Sequence, residues 1–270
     1  MNVLLPYTRR AKAGSLKERI FVNDLDQVVN NLTQVPKFKF DCAGCPIRDR
    51  AICSLCDADE LEALEKIKFY KSFEAGQSIA IRGDDLTTLS SVVTGTASLM
   101  RTMEDGRAQM VGLLLPSDFI GRPGRTTYSY DVTAVSDVTL CCFKRDPFEA
   151  LMTKTPHLIE RLMEMSLDDL DVARDWMLLL GRKTAREKVA SFLKMMIKRK
   201  SVQVVNGART VDFILPITRE LMATYLGLTI ETVSRQMGAL RNDGIIDTEG
   251  KKRVIVHDVD ALSDEAGDKV

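Results

Sequence analysis

Histidine is scarce in this sequence, and long apolar runs are missing from it. The 270 residues include only two histidines, His157 and His257. With so few histidines, no Gly-rich phosphate loop and no carboxylate pair in an evident cleft, the sequence argues against an enzyme. No run approaches the roughly 18–20 apolar residues that a membrane span requires, so we expect no membrane association. The short apolar patch at the N-terminus is followed by basic residues, which is the wrong order for a secretory signal, so we expect a cytoplasmic protein.

The formal net charge is zero, but basic and acidic residues are distributed unevenly along the chain. Residues 182–253 contain 15 Lys/Arg residues and 7 Asp/Glu residues, which is a local charge of +8. Residues 254–270 and residues 1–181 each carry a charge of −4. A concentrated basic block in an otherwise acidic chain is typical of a nucleic-acid-binding domain. A basic face that serves only solubility is the alternative.

Short β-rich runs dominate residues 69–145. They are separated by Gly or Asp-Gly turns, and Asp105-Gly106 between two apolar runs is the clearest hairpin. A second hairpin is predicted at Asn206-Gly207, in the basic block. Even turn spacing with short strands is typical of an antiparallel sandwich or barrel and not of a parallel α/β sheet.

A long helix is predicted from Thr155-Pro156 to Gly181, with Thr155 as its N-cap and Gly181 as its C-terminal stop. Apolar and small residues recur in it at alternating steps of four and three, which is the spacing of a helix–helix seam. Because Asp168, Asp169 and Asp171 lie beside this seam and would repel, a dimer formed through it should be marginal. A plain buried helix is the alternative. The predicted dimer seam consists of Ile159, Met163, Ser166, Leu170, Ala173, Met177 and Leu180.

The basic block carries a helix-turn-helix pattern. Thr218 and Thr229 are predicted to cap its two helices. Ala223 suits the point where the helices cross, Gly227 supplies a left-handed turn, and Val233 faces back into the pair. The pattern predicts a DNA-binding winged helix.

The second helix of this pair would lie in the major groove and lead with its N-terminal residues. Arg235 suits a bidentate contact to guanine, Glu231 can accept a hydrogen bond from cytosine N4, and Ser234 lies on the same exposed face. Phosphate contacts position a protein without specifying sequence. They are predicted for Thr218, Arg219, Thr232, Lys251, Lys252 and Arg253.

A β-barrel, a long dimer-type helix and a C-terminal winged helix, in that order, resemble the CRP/FNR family of bacterial transcription regulators over roughly residues 40–257. The run from Glu231 through Ser234 and Arg235 is similar to the E-x-x-S-R reader of the FNR branch. The resemblance implies an α+β fold with a jelly-roll, cyclic-nucleotide-binding-like sensor barrel. It also implies a homodimer that reads palindromic TTGAT-type sites in double-stranded DNA through these three residues, with RNA polymerase as a further partner.

The usual small ligands of such barrels are not expected here. The family's cyclic-nucleotide pocket uses a Gly-Glu step for the ribose and an Arg beside a small pair for the phosphate. In this sequence Gly121 is followed by Arg122, and Asp131 occupies the place where a cation would be needed. We therefore expect no cyclic nucleotide. Haem is also disfavoured because neither histidine falls within the barrel.

Four of the six cysteines lie within DCAGCPIRDRAICSLCD, residues 41–57. They form two C-x2-C pairs, Cys42 with Cys45 and Cys53 with Cys56, and two intervening residues let both sulfurs of a pair face one metal. Clustered thiols in the cytoplasm more often bind metal or sense redox state than form disulfides. On local spacing alone, the four thiols suit a structural zinc site or remain idle.

The resemblance to the FNR branch implies a different set of ligands. In that branch three N-terminal cysteines and one distant barrel cysteine hold a 4Fe–4S cluster, which requires four thiolates. The segment that ends at Cys141 resembles the family's fourth-ligand segment, and Cys142 is the alternate. Successive strand residues face opposite sides, so these two cysteines are not expected to serve together.

The third N-terminal ligand is predicted to be Cys53, with Cys56 as the alternate. The C-x2-C-x7-C spacing resembles the FnrL-type branch of alphaproteobacteria, whereas the best-known FNR pattern has five residues before the third ligand. The expected cluster ligands are thus Cys42, Cys45, Cys53 and Cys141. Pro46 and Ile52 flank them, and we expect both to limit access of solvent and oxygen.

The sequence therefore predicts an oxygen-sensing transcription regulator, active as a cluster-loaded homodimer and weakened in dimerisation and DNA binding when oxygen destroys the cluster. A cluster-free regulator of the same family, controlled by its expression level or by thiol oxidation, or one with a structural zinc, is the alternative. Six segments are predicted in chain order: a flexible N-terminal segment (1–41), a cysteine-rich loop (42–56), the barrel (57–153), the dimerisation helix (154–181), the winged helix (182–257) and an acidic tail (258–270).

Overall fold

The computed structural model describes residues 41–199 and 210–267. Nearly all of the predicted N-terminal segment, and the hairpin predicted at Asn206-Gly207, lie outside these residues. Within the described ranges, no helix is long and apolar enough to cross a bilayer.

Eight strands form two four-stranded antiparallel sheets, with the orders β1-β8-β3-β6 and β2-β7-β4-β5. Their inner faces enclose an apolar core that includes Val92, Val132 and Leu140. The Asp105-Gly106 turn connects β4 to β5, as predicted, and Gly106 has the positive φ of 85° that such a turn requires. The strands are β1 (Lys68–Phe73), β2 (Ser78–Ala80), β3 (Thr88–Thr94), β4 (Ala97–Thr102), β5 (Ala108–Leu114), β6 (Phe119–Ile120), β7 (Asp131–Ala134) and β8 (Val138–Lys144).

The cysteine loop consists of consecutive turns and leads into helix α1 (Ala58–Ile67). Asp57 caps α1, because its side chain accepts from the Glu60 backbone while the Glu60 carboxylate accepts from the Asp57 backbone. A second short helix, α2 (Arg145–Met152), follows β8. A separate apolar cluster joins the loop, α1 and α2 to the outer face of the sheet that contains β8.

The long helix α3 spans Pro156–Arg182. It passes through Gly181 and ends one residue beyond the predicted stop. Thr155 is the N-cap residue by position, but its side chain makes no capping hydrogen bond. Near the C-terminal end of the helix, the Trp176 ring stacks on Tyr225, with 4.1 Å between the ring centroids. At this end the helix therefore contacts the predicted winged-helix domain.

The predicted winged-helix domain contains α4 (Ala185–Arg199), α5 (Arg219–Leu226) and α6 (Ile230–Asn242) with a three-stranded sheet. The sheet has the order β10-β11-β9 and forms the predicted wing, with an added third strand. Its strands are β9 (Val211–Ile214), β10 (Ile246–Glu249) and β11 (Arg253–Val256).

The predicted acidic tail is in part a folded helix, α7 (Val259–Glu265). Asp258 caps it by accepting from the backbone N–H groups of Asp260 and Ala261. Leu262 and Ala266 are fully buried in the core of the predicted winged-helix domain, so residues 259–266 pack as part of that domain.

Candidate metal centre and nucleic-acid interface

Four of the six cysteines meet around one small apolar cavity between the loop and the barrel. Cys42, Cys45 and Cys53 approach it from the loop, and Cys141 approaches it from β8. The remaining lining comes from apolar, aromatic and serine side chains. These are Ile47, Ala51, Ile52, Leu64, Tyr70, Ser91 and Phe143.

The two adjacent barrel cysteines face opposite sides of β8. Cys141 packs with the loop and α1, whereas Cys142 packs inside the barrel with residues such as Val92 and Leu140. This is the alternation that a strand imposes on successive side chains. Cys142 does not line the cavity and therefore cannot reach a group held there.

Cys53 and Cys56 are also separated by the fold. Cys56 is buried, but it is absent from the lining of the cavity that Cys53 faces. Burial, together with the negative charge of Glu60, raises the pKa of the Cys56 thiol to about 12. The structure thus brings together the three loop cysteines predicted as ligands and leaves the predicted alternate outside. Their roles as ligands remain a prediction.

Arg48 organises the second half of the loop. Its Nη1 donates to the carbonyls of Cys53 and Ser54, both over 2.7 Å, and its Nη2 donates to the carbonyl of Cys56 over 2.8 Å. These bonds satisfy three backbone acceptors in a segment that has no regular secondary structure. The sequence offered no signal for this role, because an arginine in a charged loop is ordinarily solvated.

Burial raises the pKa of three of the cavity thiols, those of Cys42, Cys53 and Cys141. It raises the pKa of Cys42 to about 12, with a further contribution from the hydrogen bond to Glu65, and it raises the pKa of Cys141 still further. A metal or cluster must therefore displace protons from these thiols on binding.

The two residues expected to shield the site are placed differently. Ile52 is 1% exposed and lines the cavity. Pro46 is exposed and does not line it, so its expected role in limiting access stays a prediction. A position next to a cysteine does not determine which way a side chain faces, and Pro46 lies in a turn with its side chain exposed to solvent.

The predicted dimer seam forms an exposed apolar row on α3. Met163 is 61% exposed and Met177 is 68% exposed, which is unusual for large apolar side chains. The other members are also exposed: Ile159, Ser166, Leu170, Ala173 and Leu180.

The helix-turn-helix has the predicted local geometry. Thr218 and Thr229 cap α5 and α6 through hydrogen bonds from the backbone N–H groups of Leu221 and Thr232. Gly227 has a left-handed backbone with φ 63°, as the turn requires. Val233 is fully buried between the helices.

The predicted base-reading residues share the solvent-facing N-terminal half of α6. Glu231 and Arg235 are exposed, and Ser234 is half-buried. Hydrogen bonds from its own backbone N–H and from the Thr229 hydroxyl lower the pKa of Glu231, so its carboxylate is ionised at neutral pH.

The predicted phosphate-contacting residues differ in availability. Lys251 and Lys252 are exposed in the turn of the wing. Arg253 is instead held by carboxylates, since its Nη2 lies 2.6 Å from Asp212 and its Nη1 lies 2.5 Å from Glu249. This pairing leaves Arg253 less free to bind phosphate than the two lysines. Thr218 is exposed, and Arg219 and Thr232 are half-buried.

Two protein families match the chain. Residues 70–155 match the cyclic nucleotide-binding domain, and residues 187–265 match the Crp-like helix-turn-helix domain. The first match describes the barrel fold. In this barrel the Asp131 carboxylate accepts the backbone N–H of Arg82 over 2.9 Å, and the expectation that no cyclic nucleotide binds remains a prediction.

Known regulators resemble the chain over most of its length. It is 58% identical to the transcriptional activator protein FnrL of Cereibacter sphaeroides over 240 residues, which are 88% of this chain and 96% of the relative. It is 28% identical to the fumarate and nitrate reduction regulatory protein of Escherichia coli, covering 84% of this chain and 90% of that protein. The structure of FixK2 from Bradyrhizobium japonicum superimposes with a TM-score of 0.66 and 30% identity, over 73% of this chain and 96% of FixK2.

These matches account for the order of barrel, long helix and winged helix, and they support DNA binding and dimerisation. The relatives are transcription regulators, and several of them are activators. The chain belongs to the CRP/FNR family of transcription regulators, and within it to the FnrL type.

Proposed function

We propose that this chain is an oxygen-responsive transcription activator that binds DNA as a homodimer carrying a 4Fe–4S cluster. The cluster ligands are Cys42, Cys45, Cys53 and Cys141, and the targets are palindromic sites with TTGAT-type halves. The observation that carries the proposal is the cavity that these four cysteines share, with three of them on the loop and one on the barrel.

The set of donors fits such a cluster. Soft thiolates select iron–sulfur clusters or zinc, and a 4Fe–4S cluster requires four of them. A single zinc with Zn–S bonds of about 2.3 Å needs sulfurs within about 3.8 Å of one another. Among the described residues, no three cysteine sulfurs lie within 4.8 Å of one another, so the thiols as placed are not arranged around a single zinc. When bound, the cluster supplies a connection between loop and barrel that oxygen can destroy.

Two contacts connect the loop region to the dimer seam. Arg161 Nη2 donates to the backbone carbonyl of Arg50 over 2.8 Å, and His157 Nδ1 lies 2.7 Å from the Glu60 carboxylate. Both α3 residues lie within one turn of the seam residue Ile159. A loop held by four thiolates therefore fixes the position of the first half of α3, and a released loop does not. Occupancy of the site biases a two-state pairing equilibrium in this way.

The pairing itself should be weak enough to switch. Asp168, Asp169 and Asp171 are exposed beside the seam, and their charges repel when two copies of α3 meet. The paired form sets two α6 helices about one DNA turn apart, which matches a palindrome. An activator acts through the transcription machinery, and RNA polymerase is the expected partner.

Anaerobic purification followed by absorption spectroscopy and by iron and sulfide counts tests the proposal. We expect a coloured protein with about four irons and four sulfides per chain. Cys141→Ser should abolish the colour, and Cys142→Ser is the matched control that should keep it, because Cys142 faces the barrel interior. A colourless protein with one zinc per chain would refute the cluster. An unchanged oxygen response in Cys141→Ser would favour the cluster-free regulator governed by expression or thiol oxidation.

A further inference from the structure

Ser91 places a hydroxyl group in the cysteine-lined cavity, and sequence reasoning did not single it out. Its side chain is 2% exposed and lines the cavity together with the four cysteines. Its Oγ has no hydrogen-bond partner among the residues that the structure describes. A buried hydroxyl without a partner is costly, so the folded protein retains it against a penalty.

The register of the sheet places Ser91 directly beside the barrel thiol. On β3, Ser91 is paired with Cys141 on β8, while Tyr70 on β1 is paired with Cys141 from the other side. Directly opposite residues of an antiparallel pair have Cβ atoms about 4.5–5.5 Å apart and point to the same face. The Ser91 hydroxyl and the Cys141 sulfur therefore face the loop together.

The neighbouring serine provides a contrast within the same strand. Ser90 is also buried, but it faces the opposite side, where it is paired with Cys142. Among the described residues, the hydroxyl of Ser91 is a buried group without a hydrogen-bond partner, whereas that of Ser90 is not. An acceptor for the Ser91 hydroxyl would have to lie on the face of β3 that is directed toward the four cysteines.

The chemistry of the cavity defines that acceptor. Its lining is apolar apart from the thiols, the Tyr70 phenol and Ser91 itself. A protonated thiol is a weak acceptor, whereas a thiolate or sulfide carries negative charge and accepts a charge-assisted hydrogen bond. We propose that Ser91 donates a hydrogen bond to an anionic sulfur of the bound cluster or of its Cys141 ligand and thereby retains the cluster. This inference rests on the proposed function and assigns Ser91 as a residue that contacts the cluster directly.

Hydrogen bonds to the sulfurs are among the features by which a protein controls the stability and potential of an iron–sulfur cluster. Ser91→Ala removes the donor with little change of volume, and Ser90→Ala is the matched control on the other face of β3. In the metal-free protein, Ser91→Ala should raise the melting temperature, because it removes an unpartnered buried hydroxyl. In the loaded protein it should weaken cluster retention. A higher melting temperature in the metal-free protein, combined with weaker cluster retention in the loaded protein, would identify Ser91 as a donor to the cluster.

The test uses the full chain, reconstituted and handled without oxygen. The first readout is the rate at which iron passes to a ferrous chelator, which we expect to rise about tenfold in Ser91→Ala and to stay unchanged in Ser90→Ala. The second readout is resonance Raman spectroscopy in H2O and D2O. A hydrogen-bonded Fe–S stretching band should shift on deuteration in the wild type and in Ser90→Ala, and should lose this shift in Ser91→Ala.

Equal iron-release rates and equal deuterium shifts in Ser91→Ala and the wild type would overturn the role of Ser91 while leaving the cluster intact. A wild type without iron and sulfide would overturn the proposed function and this inference with it. If Ser91→Ala fails to fold by circular dichroism, Ser91→Thr, which keeps the hydroxyl, takes its place. Ser91→Thr should keep the deuterium shift, and its loss there would refute the assignment.

Discussion

Arg161 on the long helix donates a hydrogen bond from Nη2 to the backbone carbonyl of Arg50 in the cysteine loop, over 2.8 Å. The Arg161 side chain is only 19% exposed, and its Nη1 also bonds Glu164 over 2.8 Å. The arginine is therefore fixed on its own helix and binds a carbonyl that lies between Cys45 and Cys53. A displacement of the loop changes this contact directly.

Replacing Arg161 by Met should weaken dimerisation of the loaded protein. Met keeps the apolar stem but loses the donors, and a hydrogen bond from a charged group corresponds to a change of about tenfold or more in the dimer dissociation constant. Analytical ultracentrifugation of the anaerobic protein measures this dissociation constant. Arg125→Met is the control, because Arg125 is exposed on the barrel and is not part of the seam helix. Equal dissociation constants for both variants would refute the coupling.

Replacing Arg48 by Ala should disrupt the second half of the loop. Three carbonyls, those of Cys53, Ser54 and Cys56, lose their donor, at a cost of roughly 2–3 kcal/mol in the free energy of unfolding. The melting temperature and the iron content after anaerobic reconstitution should both fall. The exposed Arg125→Ala should leave both unchanged. Full iron content in Arg48→Ala would show that the loop is shaped without this arginine.

Replacing Arg235 by Ala should weaken DNA binding at one base position. The loss of a bidentate contact to guanine costs roughly 1–3 kcal/mol there and relaxes the preference at that position. Titration against a set of single-base variants of the palindrome measures it. Lys251→Ala, in the exposed turn of the wing, should weaken binding to all sequences alike and reduce its salt dependence. A uniform loss in Arg235→Ala would contradict base reading.

The ion pair between His157 and Glu60 should make stability depend on pH. The Glu60 carboxylate raises the pKa of His157, with smaller contributions from Asp57 and Glu160. The pair therefore stabilises the fold fully below the unfolded histidine pKa of about 6.5. This contribution is lost as the pH rises through the raised, folded-state pKa. The melting temperature of His157→Gln should thus lie below that of the wild type in mildly acidic buffer and approach it in mildly alkaline buffer. A constant difference would refute the role of charge.

Local signals in the sequence predicted the DNA-binding element well. Thr218, Thr229 and Gly227 act within one or two turns of chain, so cap chemistry and backbone conformation identify them without knowledge of the fold. The segment after residue 257 was judged by its charge, and its helix was missed. Asp258 as a cap and Leu262 as a buried residue were the available signals.

The candidate site depended on residues far apart in the chain. Cys141 was identified through the family resemblance, since no local spacing relates it to the loop. Arg48 and Ser91 were not identified at all. The contacts of Arg48 depend on how the turns fold back, and the place of Ser91 depends on which strands pair and in what register. Hydrophobic pattern sets the face of a strand, but it does not name the partner strand.

The four candidate ligands differ in how firmly the protein holds them. Cys141 lies on β8, which is paired on both sides, with β1 and with β3. Interior strands of this kind exchange their amide hydrogens only in openings close to global unfolding, whereas turns open far more cheaply. Loss of the bound group should therefore change amide exchange in the loop but not in the barrel strand. Amide exchange should accelerate across residues 42–56 and stay slow across residues 138–144, so that the barrel remains a fixed reference in both states.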